Sequence, residues 1–137
     1  MKKLVALLLV AASPAFAGEM TLPIVGGIDG DTIRTYLNLP CPLCKAAVRI
    51  DGIDTPEKGH RAKCEKEHQL ALQATEFTRS LIGTSTTMKI TNFRWDKYGG
   101  RIDAVVYING VNLGQELILS GFAVPYTGSG PKKNWCA

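Results

Sequence analysis

Four short stretches of the chain set acids and arginines where they could do chemistry: Asp29-Gly30-Asp31-Thr32, Arg49, Asp54-Thr55-Pro56-Glu57, and Asp96-Lys97-Tyr98 leading to Arg101. Asp31 and Asp54 fall at the boundaries of strand-like stretches, where a carboxylate projects from a fixed backbone. Two such carboxylates, with a carbonyl oxygen and waters, suit a hard cation such as Ca2+, although their spacing matches no EF-hand loop. Arg49 and Arg101 lie on the polar faces of their strands, and two planar guanidinium groups near a cation neutralise a phosphate far better than lysines. Glu57 follows rigid Pro56 by one residue, which restricts its position relative to Asp54 and lets it orient or deprotonate a water. Together these groups point to a phosphodiester. Singly, each has an ordinary structural explanation: Arg49 with Asp51 as a surface ion pair, Asp29-Gly30 as a turn, Glu57 as a first-turn acid answering a helix dipole. Folding does not require the acids and arginines to occur together, and this favours the joint chemical reading.

The elements that must position these residues follow from the pattern. Residues 22–28, a tight turn at Asp29-Gly30-Asp31 and residues 32–36 predict a hairpin. Over residues 46–53, Val48 and Ile50 alternate with Arg49 and Asp51, as in a half-buried strand. Leu70, Ala74, Phe77 and Leu81 predict an amphipathic helix over roughly 62–82, stopped by Gly83. Residues 86–93 and 101–108 read as strands joined through 96–100, with Ile102, Ala104, Val106 and Ile108 in one apolar row and Arg101 and Asp103 facing the other way. After the Asn109-Gly110 turn, Asn112 and Gln115 have the spacing of a capping box opening a short helix that ends before Gly121. From about residue 127 the chain is a polar tail, mobile unless it is tied down. Five short strands with one helix between the third and fourth is the order of an OB-type barrel, an α+β arrangement of β-barrel with helices. That fold alone leaves function open.

The 137 residues fit one domain, and 45% apolar with 20% charged residues exclude a disordered chain. Lys2 and Lys3, an apolar run over 4–12 and Ser13-Pro14-Ala15-Phe16-Ala17 form a secretory signal peptide with an A-x-A cleavage site. The run is shorter than the roughly 20 residues a membrane span needs. Residues 1–17 are therefore expected to be removed, leaving residues 18–137 as an exported domain, periplasmic or secreted, without membrane attachment. Removal takes two of the 16 basic residues and none of the 12 acidic ones, leaving a net charge of +2. So weak an excess means that contact with a polyanion must rest on placed side chains rather than on net charge.

Export makes two disulfides the default for Cys41, Cys44, Cys64 and Cys136. Of three connectivities, Cys41–Cys44 with Cys64–Cys136 is favoured, because the first pair shares one tight Pro-containing loop; the second would clip the tail to mid-chain. Sequence alone leaves the choice open. Two other readings of the cysteines are weaker. Cys41-Pro42-Leu43-Cys44 has the form of a thiol-disulfide motif, but such a motif takes its reactivity from a helix N-terminus, and here the loop leads into a strand. A zinc site of Cys41, Cys44, Cys64 and His68 has tolerable spacing but strands Cys136. His60 and His68 read as solvated helix-entry residues.

Asp29-Gly30-Asp31-Thr32-Ile33, Val48-Arg49-Ile50-Asp51-Gly52-Ile53-Asp54-Thr55-Pro56-Glu57 and Asp96-Lys97-Tyr98-Gly99 resemble the staphylococcal nuclease (thermonuclease) family, over about residues 23–126. The resemblance implies a five-stranded OB-fold of the staphylococcal nuclease type and a Ca2+-dependent endonuclease acting on DNA and RNA, leaving 3′-phosphate and 5′-hydroxyl ends. It implies Asp31, Asp54 and the backbone carbonyl of Thr55 as metal ligands, Glu57 as general base, and Arg49 and Arg101 as stabilisers of charge on phosphorus. Lys97, Tyr98 and Tyr126 match positions that contact the nucleotide. A monomer without a stable protein partner is expected. The chain departs from the family pattern in three places: Gly100 intervenes before Arg101, the Cys41–Cys44 loop replaces a cysteine-free hairpin, and a further C-terminal helix is lacking, for which the Cys64–Cys136 bridge is expected to stand in. Spacing forward from Arg101 to Ala104 is kept, so the extra glycine is expected to lengthen the turn. A non-catalytic OB-fold module that binds nucleic acid or protein is the rival reading. The intact set of arginines and Glu57 favours the enzyme.

Overall fold

A strand whose alternate side chains are all apolar must bury one face. Ile102, Ala104, Val106 and Ile108 do so in full, while Arg101, Asp103, Val105 and Tyr107 stay partly exposed. The computed structural model describes residues 18–137, so the leader assigned to residues 1–17 lies outside the described residues. In chain order its elements are β1 (Glu19–Pro23), β2 (Thr32–Tyr36), β3 (Lys45–Ile50), β4 (Ile53–Asp54), a 3-10 turn at Gly59–Arg61, α1 (Glu65–Ile82), β5 (Thr87–Trp95), β6 (Arg101–Ile108), β7 (Val111–Asn112), α2 (Leu113–Leu119) and β8 (Val124–Pro125).

The sheet runs β1-β5-β6-β3-β2, with β7 beside β6 and β4 paired separately to β8. Within it β3 and β6 are parallel, with Val48 opposite Ile102 and Arg49 opposite Asp103. Parallel neighbours need a long connection between them, and here it carries α1. The helix presses Ala71, Ala74, Thr75, Thr78 and Ile82 inward, and Leu113 and Leu117 of α2 complete the core. This mixed sheet with two helices is an OB-fold-like α+β architecture. Its path ends at β1 and β2; past the end of β1, Val25 N–H donates to Arg34 O and Arg34 N–H donates to Gly26 O, both at 3.0 Å.

The first strand differs from expectation. It spans Glu19–Pro23 rather than 22–28 and pairs with β5, not with β2. Gly26 and Gly27 explain this: their φ of 98° and 58° turns the chain where an extended strand would have to continue. The helix starts at Glu65 rather than 62, because the Cys64 side chain accepts the Glu67 N–H as its cap, and it stops at Gly83 as expected.

Cys41 pairs with Cys44 and Cys64 with Cys136, at Cα separations of 4.7 and 6.1 Å. Among the described residues no cysteine is free, which leaves no thiolate for the zinc reading. The tail from 127 is thereby a strap: Trp135 is only 6% exposed, packed back onto the body of the domain. The Cys64–Cys136 bridge spans 72 residues, and closing a loop of that length removes much conformational freedom from the unfolded chain. Replacing both cysteines by serine should lower the unfolding free energy by about 2–4 kcal/mol in urea titrations, and replacing Cys41 and Cys44 should cost less. A peptide map without reduction that links Cys41 or Cys44 to Cys136 would contradict this pairing.

Candidate active site

The Asp29–Thr32 loop is held from beneath by α1. Thr78 Oγ1 donates to the Gly30 carbonyl at 2.8 Å, and a Cβ at Gly30 would lie 3.1 Å from the Ala74 Cβ. Only glycine lets helix and loop approach so closely without displacement. Asp31 is thereby aimed outward: its Oδ1 accepts from Thr32 Oγ1 at 2.9 Å, and its Oδ2 lies 3.6 Å from Arg49 Nε. Arg49 also donates to the Ile53 carbonyl at 3.4 Å. Asp29 is engaged by Lys58.

Asp54 sits on β4, 3% exposed. Its Oδ2 accepts from the indole Nε1 of Trp135 at 3.1 Å, and its Oδ1 lies 3.3 Å from the Lys132 ammonium, which also lies 3.9 Å from Glu57 Oε1. Glu57 is 3.4 Å from Arg61, and its backbone N–H donates to Glu67 Oε1 at 3.1 Å. The second oxygen of the buried Glu67 takes the Lys63 N–H at 2.8 Å. Sequence reasoning passed over Glu67, Lys132 and Trp135. For Glu67 the signal was its place three residues after the cap Cys64; for Trp135, a lone large aromatic beside a bridged cysteine in a polar tail.

The turn before Arg101 absorbs the extra glycine. Gly99 and Gly100 both take left-handed φ, 73° and 67°, and Asp96 N–H closes the turn on the Arg101 carbonyl at 2.8 Å. Arg101 and Asp103 share a strand face, and Asp103 is opposite Arg49, so both arginines look the same way. Asp96 Oδ2 accepts from Arg101 Nε at 3.0 Å, and Asp103 Oδ1, buried without a hydrogen-bond partner, lies 3.9 Å from it. Arg94 makes a two-point contact with Asp51 at 2.8 and 3.1 Å. The Tyr98 N–H and the Arg101 fork hold the Asp96 carboxyl below the usual carboxylate range. Hydrogen bonding to Arg94 does the same for Asp51, and Asp96 in turn raises Arg101.

These groups line one open cleft of about 810 Å³, with Asp31, Arg49, Thr55, Glu57 and Arg101 on its walls and Lys97, Tyr98 and Tyr126 also facing it. Tyr98 is 77% exposed. Asp54 is not on the open wall, because the strap lies over it. Among the described residues no three His, Cys, Asp or Glu side chains gather into a metal cage. The Asp31, Asp54 and Thr55 set is instead all oxygen with two carboxylates, and the buried Asp54 meets one neutral donor and one ammonium. Oxygen donors of this kind suit a hard cation, which would have to displace the Lys132 ammonium from Asp54 Oδ1. Acids able to hold a cation or take a proton, on one cleft with two arginines of which Arg49 is paired to Asp31, can bind a phosphate and activate water against it.

A family model described as staphylococcal nuclease homologue matches residues 47–135, a span holding all these groups except Asp31 and its loop. The chain is also 27% identical over 127 residues to an uncharacterized endonuclease of Escherichia coli O157:H7, covering 92% of this chain and 74% of that protein.

The carboxyl shifts have a sign. With folded-state values depressed, Asp51 and Asp96 stabilise the fold fully above the unfolded carboxylate range near 4, and the contribution fades as pH falls through their lower folded values. The melting temperature should therefore drop as pH falls below about 4. The drop should be shallower in the Asp51→Asn, Asp96→Asn double variant, as followed by circular dichroism.

Proposed function

From the chain's membership of the staphylococcal nuclease homologue family, we propose that it is an exported, Ca2+-dependent endonuclease that hydrolyses phosphodiester bonds of DNA and RNA to 3′-phosphate and 5′-hydroxyl ends. The observation that carries this reading is the meeting of Asp31, Arg49, Glu57 and Arg101 in one cleft. Asp31, Asp54 and the Thr55 carbonyl would hold the Ca2+, which when bound supplies positive charge to draw in the phosphate and polarise it. Glu57 accepts a proton from water as the water oxygen attacks phosphorus. The bond from phosphorus to the 5′ oxygen breaks, and that oxygen leaves as the hydroxyl after taking a proton from solvent. Arg49 and Arg101 donate to the non-bridging oxygens as charge builds on five-coordinate phosphorus. Because Asp96 occupies Nε and Nη2 of Arg101, Nη1 is left for the phosphate. Lys97 attracts the neighbouring phosphate, and Tyr98 and Tyr126 offer faces on which unpaired bases stack.

Export is supported by the leader pattern in residues 1–17 and by the fully paired cysteines. The sheet is taken as the family's five-stranded OB barrel, closed where residues 25–26 meet Arg34, and the protein as a monomer with no stable protein partner.

Incubating the protein with single- and double-stranded DNA and RNA should give cleavage with Ca2+ and none in excess EGTA, with 3′-phosphate ends on the products. Full activity in EGTA would contradict the Ca2+ assignment. Binding without cleavage under every condition would turn the enzyme into a binding module. Arg49→Ala and Arg101→Ala should each lower kcat by about two orders of magnitude or more while leaving the melting curve nearly unchanged. A near-normal rate for Arg101→Ala would show that the lengthened turn takes this residue out of the reaction.

A further inference from the structure

The Lys132 ammonium stands where two acids of the proposed site converge. Its Nζ lies 3.3 Å from Asp54 Oδ1 and 3.9 Å from Glu57 Oε1, and 5.8 Å from the centre of the Tyr126 ring. Asp54 is withdrawn from the cleft, whereas the Lys132 side chain is 46% exposed and lines it. An ion that enters from the cleft and reaches for Oδ1 therefore meets a positive charge already in contact with that oxygen.

The ammonium is tethered there. Lys132 belongs to the strap, whose Trp135 indole donates to the other Asp54 oxygen at 3.1 Å and whose Cys136 is bridged to Cys64. A charge held on such a tether acts at a high effective concentration. A lysine head is nevertheless a point charge on a flexible stem, so the contact can be broken without moving the strap. An opposite charge within about 4–6 Å of a carboxylate changes its affinity for a proton by about tenfold or more. A metal cation contending for the same oxygen meets the same opposition.

We propose that Lys132 is a built-in counter-ion that contends with Ca2+ for Asp54, an autoinhibitory contact through which the strap sets the Ca2+ concentration at which the site fills. This rests on the reading of Asp54 as a Ca2+ ligand. The lysine thus keeps the buried carboxylate paired while the cation is scarce, and weakens Ca2+ binding by the free energy needed to dislodge it.

The test is calorimetric titration of Ca2+ into the whole bridged protein, with near-ultraviolet circular dichroism to verify the fold. Lys132→Met keeps the stem and loses the charge, and it should lower the Ca2+ dissociation constant by about tenfold. Lys132→Arg keeps the charge and should stay near the parent. The gain in Lys132→Met should shrink as salt is raised, because the lysine is half-exposed and its charge is screened. Lys133→Met controls for overall charge: its ammonium lies over the Trp135 ring, 4.5 Å from the centroid, and its loss should change the affinity far less. If Lys132→Met does not fold, Lys132→Gln, polar and uncharged, carries the comparison. Should the parent bind Ca2+ and Lys132→Met bind it no more tightly, or should Lys133→Met gain as much, the contention at Asp54 is overturned and the nuclease reading stands. Should neither the parent nor Lys132→Met bind Ca2+, the cation reading of the site falls and this inference with it.

Discussion

Asp54 is an anion that the fold takes out of water, and much of the molecule is arranged around that cost. A buried carboxylate left alone would be penalised by several kcal/mol, so at 3% exposure it must find its donor and its counter-charge inside the protein. Neither comes from nearby sequence. Both come from the last residues of the chain, Lys132 and Trp135, brought across the domain and fixed by Cys136. The strap is poor in apolar residues and would not order itself by burial. One buried tryptophan and one bridge order it instead, which makes the tail part of the site.

Helix α1 is the common frame for all three carboxylates. Through Thr78 and Ala74 it holds the loop of Asp31; through Glu67 it holds the backbone of Glu57; through Cys64 it anchors the strap that reaches Asp54. The arginines come from a different source, the parallel pair β3 and β6, whose register fixes Arg49 opposite Asp103. Acids from the helix side thus sit beside cations from the sheet side, with α1 bracing the loops that carry Asp31 and Glu57.

What was legible in the sequence was what is local. The apolar row of β6, the bounds of β2 and the helix stop at Gly83 follow from period and breaker within a few residues. The candidate acids and arginines were legible too, because each sits in a short motif. The first strand was misplaced because two glycines in left-handed conformation look, in sequence, like any other pair. Trp135 and Lys132 were missed for a deeper reason: their contact with Asp54 joins positions about 80 residues apart and depends on the path of the whole strap. Glu67 was missed because a buried acid near a helix start has the same letters as an exposed one.

An added residue in a strand would have turned every later side chain to the other face. Gly100 does no such harm, because it is spent in the turn: both Gly99 and Gly100 take a conformation that side-chain-bearing residues resist, and the Asp96–Arg101 backbone bond closes behind them. Arg101 then starts β6 on the face of Asp103 and Arg49. Its guanidinium is held by Asp96 before any substrate arrives. Such a contact weakens the net positive charge offered to a phosphate, yet it removes the rotamer freedom that an unheld arginine would lose on binding. For a group proposed to meet charge that develops on phosphorus, fixed direction would outweigh a partly shared charge, since preorganised donors need no rearrangement when that charge appears. The acid that would compete with a phosphate for Arg101 is the same one that fixes the direction of its guanidinium.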